Sequence, residues 1–172
     1  MALKAEGSRQ GGSDEDVCLI CFEASPPPIQ SGCACRDSAG LAHPECRVKA
    51  AEALVRRKGS NRWWWTCQTC EQEFTGAMRI GLANAWWSQV RDRDEEDPER
   101  LEAAHNLARS LDSQGKYAEA EEMLHEVLAV RVRVLGAKHP DTRAAASDMI
   151  VTRKRAAEGS GACADASKRR KQ

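Results

Sequence analysis

The chain has 172 residues, its 26 Lys and Arg balance 26 Asp and Glu, and 41% of its residues are hydrophobic. That length holds one ordinary domain or two small ones, and the balanced charge leaves no electrostatic footprint for nucleic acid. No apolar run approaches the roughly 18–20 residues that cross a bilayer, and the segment before Cys18 has no hydrophobic signal region, so a reducing intracellular compartment, cytoplasm or nucleus, is expected.

In chain order, residues 1–16 read as a disordered lead-in, low in apolar side chains. A cysteine-rich unit follows over 17–75. Eight metal-type ligands occur there in one run: Cys18, Cys21, Cys33, Cys35, His43, Cys46, Cys67 and Cys70. Close pairs separated by longer loops suit two tetrahedral sites, because each pair supplies two corners from one tight turn and distant pairs complete the set. Two zinc ions are the expected cofactors. A disulfide framework is the competing reading; seven cysteines are an odd set, and no secretory signal precedes them. With about 55 residues and few long aliphatic side chains, the unit falls below the roughly 70–80 residues at which a core alone suffices, so metal must supply folding energy. Seven ionised thiols against two Zn²⁺ would leave about three net negative charges.

Ser25-Pro26-Pro27-Pro28 must be a loop. Arg47–Lys58 predicts a short helix with Val48, Ala51, Leu54 and Val55 on its apolar stripe, basic residues in its last turn and Gly59 as a left-handed cap. Arg62–Thr66, carrying Trp63, Trp64 and Trp65, reads as extended, which would send Trp64 to one face and its neighbours to the other. Trp65 is expected to pack on the metal core, with Trp86 and Trp87 covering the junction with the helices, rather than to cage a methylated lysine.

The stretch 76–97 reads as a helix and an acidic linker. Met78, Leu82, Ala85, Trp86 and Val90 recur at helical spacing within Thr75–Arg93, and Asp92–Asp97 forms the linker. Asp97 and Pro98 read as N-cap and first helical residue. Helices are predicted over Pro98–Ser113, over Tyr117–Leu135 burying Ala120, Leu124, Val127, Leu128, Val134 and Leu135, and over Asp141–Arg155. A 42-residue shift sets Asp97-Pro98 on His139-Pro140, Ala103-Ala104 on Ala145-Ala146, Leu82 on Leu124 and Val90 on Val132. Stacked helical hairpins are therefore expected over 98–156, docked on the cysteine-rich unit or completed by a protein partner. His105 and His125 read as surface or inter-helix residues, and His139 as part of the repeat turn. The tail 157–172 reads as disordered and basic; Cys163 is an idle thiol there, while Lys168-Arg169-Arg170-Lys171 and Arg153-Lys154-Arg155 are candidate nuclear-import clusters.

The ligand order, four cysteines, one histidine and three cysteines, resembles the RING-CH (RING-variant) zinc domains over Cys18 to Phe74. The single residue between Cys33 and Cys35, the seven before His43, and Phe74 four after Cys70 favour it over a PHD finger; Trp65, two residues before Cys67, is a PHD habit. The resemblance implies a small zinc-stabilised α+β cross-brace domain, with Cys18, Cys21, His43 and Cys46 on one zinc and Cys33, Cys35, Cys67 and Cys70 on the other. It implies ubiquitin-ligase activity by recruitment: a ubiquitin-conjugating enzyme bound through Ile20, Gln68 and Thr69 and the Arg47–Lys58 helix, its thioester held in a reactive posture with no covalent intermediate on this chain. Two positions depart from the pattern. Ala50 stands where members usually carry tryptophan, and Glu71 where active RINGs often carry a cation. Members usually have transmembrane helices, which this sequence lacks. The alternative is a non-catalytic interaction scaffold or PHD-like reader.

Residues Leu101–Thr142 resemble tetratricopeptide repeats of the kinesin-light-chain type, carried by Asn106-Leu107-Ala108, Gly115-Lys116-Tyr117, Glu119-Ala120-Glu121, Leu135-Gly136 and His139-Pro140-Asp141-Thr142. That implies an all-α helical-hairpin segment binding a protein substrate or partner.

Overall fold

The computed structural model describes residues 16–169, with side chains through Glu158. The lead-in through residue 15, the thiol of Cys163 and the basic cluster at 168–171 lie outside the described residues or side chains.

Short backbone segments dominate the first part. Strands β1 (Ile29–Gln30) and β2 (Leu41–Ala42) pair antiparallel, Ile29 opposite Ala42 and Gln30 opposite Leu41. This hairpin was not evident in the sequence, because strands of two residues carry no readable alternation. Its loop presents Cys33 and Cys35, and its second strand delivers His43. Helix α1 (Pro44–Lys58) begins three residues before the predicted start, with His43 in the N-cap place and Pro44 at N1. Proline suits that position, since its missing N–H would have no helical acceptor. Gly59 ends the helix at φ 66°, the left-handed cap the sequence predicts, and its N–H bonds the Val55 carbonyl at 2.8 Å.

The tryptophan run is not extended. Asn61–Trp64 forms a 3-10 turn, which brings the rings of both Trp64 and Trp65 against Trp86 instead of sending neighbours to opposite faces. Trp64 lies 5.8 Å from Trp86 with planes 6° apart, and Trp65 lies 5.7 Å from it at 25°. Trp63 is buried under two cations, Lys58 at 4.4 Å and Arg62 at 5.0 Å from its ring.

Four further helices follow: α2 (Gly76–Val90), α3 (Pro98–Ser113), α4 (Tyr117–Leu135) and α5 (Pro140–Arg169). The bounds of α3 and α4 are those the sequence predicts. Asp97 caps α3 by accepting the Arg100 N–H at 2.9 Å, and Gly115 (φ 77°) takes the turn into α4. Helix α5 continues beyond Arg155 to Arg169, through part of the tail expected to be irregular. Two expected core residues of α4 are exposed: Val134 (45%) and Leu135 (42%) lie in its last turn and line a cleft shared with α3 and α5.

One apolar cluster runs from the cysteine-rich unit into the helices. It includes Cys18, Ala42, Ala51, Trp64, Phe74, Met78, Leu82, Trp86 and Ala103. Helix α2 therefore packs between α1 and α3. The Asp92–Asp97 stretch is an ordered turn, in which Glu95 and Glu96 both pair with Arg133 of α4. Polar ties cross the same junction: Asn61 donates to Glu102 at 2.9 Å, Gln89 to Glu52 at 2.8 Å, and Trp86 Nε1 to Glu99 at 3.1 Å. Among the described residues no helix is long and apolar enough to cross a membrane.

Candidate metal centre

The eight sulfur and imidazole donors gather into two groups, Cys18–Cys21–His43–Cys46 and Cys33–Cys35–Cys67–Cys70, the donor atoms of each lying within 4.8 Å of one another. The pairs interleave along the chain. The seven cysteines of these groups are free thiols, without disulfides.

Backbone geometry builds the corners. In the first turn Phe22 N donates to Cys18 O at 2.8 Å and Cys18 N to Glu23 O at 3.0 Å, with Phe22 left-handed at φ 63°. The second turn repeats this pattern: Glu71 N to Cys67 O at 3.0 Å, Cys67 N to Gln72 O at 2.9 Å, and Glu71 at φ 56°. Each aims an amide at its first sulfur, Ile20 N at Cys18 Sγ and Thr69 N at Cys67 Sγ, both at 3.4 Å. A β-bridge between Thr66 and Glu73 pinches the second turn closed, as the β1–β2 hairpin does for Cys33 and Cys35.

The donor spacing fits a tetrahedral d¹⁰ cation. Zn–S bonds of about 2.3 Å and Zn–N bonds of about 2.0 Å imply edges of about 3.8 Å between sulfurs and about 3.5 Å between sulfur and nitrogen. Cys35 Sγ and Cys67 Sγ are 3.8 Å apart; Cys21 Sγ and Cys46 Sγ stand 3.4 and 3.7 Å from His43 Nδ1. His43 Nε2 donates to the Pro26 carbonyl at 2.5 Å. A carbonyl only accepts, so Nε2 carries the hydrogen and the Nδ1 lone pair faces the sulfurs, the tautomer a metal requires. The triple-proline loop thereby gains a role that its sequence did not disclose.

Electrostatics agree. Burial opposes ionisation of Cys18, but the N–H groups of Cys21, His43 and Ile20 outweigh it and bring the thiol down to about 6. Cys70 also falls to about 6, chiefly through the Gln72 N–H. Burial, then hydrogen bonding with neighbouring thiols, pushes Cys35 and Cys46 up to about 12, and burial raises Cys33. Four donors this close cannot all ionise against one another; a divalent cation removes the conflict. Each group could hold one metal ion, and its donor set suits zinc.

Of the residues expected to meet a conjugating enzyme, Ile20 is half-buried beside the shared core, while Gln68 and Thr69 are exposed. Thr69 holds the place in the second turn that Ile20 holds in the first. Ala50 on α1 is half-buried, and Glu71 pairs with Arg62 at 3.8 Å.

The helices contribute a cleft of about 330 Å³, lined by His105, Asn106 and Arg109 of α3, Val134 and Leu135 of α4, and Trp65 of the cysteine-rich unit. Beside it lies a polar cluster that sequence reasoning missed. Buried Arg131 donates to His105 Nδ1 at 3.0 Å and to the Asp141 carbonyl at 3.0 Å, while His105 Nε2 donates to Asp148 at 2.8 Å. The hydrogen bond from His105, against the opposing effect of burial, holds the Asp148 carboxyl below its usual range. His125 is exposed on α4, and His139 accepts the Asp141 N–H at the start of α5.

A tetratricopeptide-repeat family profile matches residues 100–141, which cover α3 from its third residue, the turn, α4 and the first two residues of α5. No curated protein and no solved structure gives a significant match.

Proposed function

We propose that the chain is a zinc-organised adaptor of RING-CH type, which recruits a ubiquitin-conjugating enzyme through its metal unit and a protein partner through its helices. The observation that carries this reading is the interleaving of the two ligand groups through two turns of like hydrogen bonding. Cys18, Cys21, His43 and Cys46 hold one zinc, and Cys33, Cys35, Cys67 and Cys70 hold the other. The metal supplies folding free energy; with all four positions filled by protein, neither ion has room for a reactive water.

The chain's own residues then act by placement. Ile20 gives an apolar contact beside Cys21, and Gln68 and Thr69 offer exposed polar contacts from the other turn. The apolar cluster shared by the cysteine-rich unit and the helices joins this surface to the helical cleft, so a partner seated near Trp65, His105 and Leu135 is brought to the same molecule as the thioester. Rate enhancement comes from orientation and effective concentration.

The test is an autoubiquitination assay with a panel of conjugating enzymes, using chain verified to hold two zincs. Ile20→Ala should abolish the ladder and retain both metals. No ladder with any enzyme would eliminate the ligase reading.

A second reading, a non-catalytic interaction scaffold, is favoured by Glu71. Its carboxylate pairs with Arg62 where a ligase of this type would present a cation to ubiquitin. In that case, the two-zinc protein binds partners without forming a ladder.

A further inference from the structure

Helix α1 buries three residues along one stripe: Ala51, Leu54 and, one position after the ligand Cys46, Arg47. Arg47 is 5% exposed, whereas every other lysine and arginine among the described residues from Asp16 to Phe74 is half-buried or exposed. Its guanidinium lies 5.4 Å from the centre of the Phe74 ring. Among the described residues it pairs with no carboxylate, and its Nε has no hydrogen-bond partner. The ring face attracts a cation only weakly. Burying a cation without an anion is costly, so a negative charge must lie elsewhere in its surroundings.

The placement identifies that charge. Cys46 precedes Arg47 on α1, and Arg47 N donates to the carbonyl of the ligand His43 at 3.1 Å, so its backbone adjoins the first donor group. Phe74, under the guanidinium, shares an apolar cluster with Cys33 and Cys67 of the second group. The side chain thus reaches from one group toward the other. A zinc ion with three thiolates and an imidazole carries about one net negative charge, and one with four thiolates about two.

We propose that Arg47 is the counter-ion shared by the two metal centres, its guanidinium offsetting negative charge that seven thiolates leave on two zinc ions. This rests on the two-zinc reading above and is independent of ligase activity. When the metals leave and the thiols take up protons, the guanidinium loses its anion. Arg47 therefore favours the loaded unit over the empty one.

The experiment measures zinc affinity of the full chain by chelator competition for the parent, Arg47→Met and Arg47→Lys. The thermal midpoint of each metal-free chain is followed by circular dichroism. Methionine keeps a flexible unbranched stem without the charge; lysine keeps the charge without the planar group. Methionine should lower affinity by about tenfold or more, as loss of groups supporting metal ligands does. Lysine should recover most of that loss, and the metal-free methionine variant should melt no lower than the parent. Equal affinity of the methionine variant and the parent would overturn the inference. So would an equal loss in both variants, which would make shape and not charge decisive, or a lower metal-free midpoint with methionine, which would make Arg47 a packing residue. Should the methionine variant not fold in excess zinc, the lysine variant decides alone: near-parent affinity sustains the inference, and a loss of about tenfold overturns it. A parent chain that binds no zinc would overturn the two-zinc reading as well.

Discussion

Trp86→Ala tests the claim that metal unit and helices share one core. Trp86 is 1% exposed, stacked against both Trp64 and Trp65, and bonded through Nε1 to Glu99. Truncating a buried tryptophan costs about 3–5 kcal/mol. Because two stacked partners are lost together, each worth about 0.5–1.5 kcal/mol, the upper part of that range is expected. Glu99 adds little, since it keeps its bond from Arg93 at 2.5 Å. Such a loss approaches the whole stability of a small domain, about 5–15 kcal/mol. The assay is urea unfolding of zinc-loaded protein, followed in parallel by helical circular dichroism and by metal release to a colorimetric chelator. Both transitions should coincide in the parent chain and move together in the variant. A variant that weakens metal retention while its helices melt unchanged, or that shifts both by less than about 1 kcal/mol, would refute a shared core.

Three further outcomes follow from the same geometry. Cys67→Ala should release both metals rather than one, because the groups interleave; a stable one-zinc species by native mass spectrometry would contradict this. Gly32→Ala should destabilise the fold severely, since φ is 68° and a Cβ would run into Thr75 at the start of α2; an unchanged urea midpoint would show that the junction can yield. Asp148 is held below its ordinary value of 3.8 chiefly by the bond from His105, so its contribution is full above about pH 4 and is lost as pH falls through the folded value. Asp148→Asn should therefore cost about 1 kcal/mol at pH 7 and progressively less below pH 4, measured as urea midpoints across that range.

Much of this architecture was legible in the sequence, for reasons that differ by element. Helices α3 and α4 are marked at both ends by local chemistry: Asp97-Pro98 opens one, Gly115 turns into the next, and Gly136 closes it. The eight donors were legible because metal geometry demands pairs on tight turns. The start of α1 was not, since His43 combines a donor position with the N-cap, and Pro44 looks like a breaker unless that is known. The tryptophans misled because alternation assumes a strand, whereas burial of two rings on Trp86 requires the 3-10 turn at Asn61–Trp64. The Arg131–His105–Asp148 cluster joins α4, α3 and α5, so only packing reveals it. Val134 and Leu135 followed the apolar pattern of α4 yet face a cleft, because periodicity gives a face and not its cover.

The account stands most directly on native mass spectrometry of the reduced full chain during stepwise chelation, with circular dichroism recorded on the same samples. It predicts two zinc ions per chain, no cystines among Cys18, Cys21, Cys33, Cys35, Cys46, Cys67 and Cys70, and loss of ordered structure in the first half as the metals leave. A fully stripped chain that keeps that half ordered, or native protein in which those thiols are bridged, would contradict it.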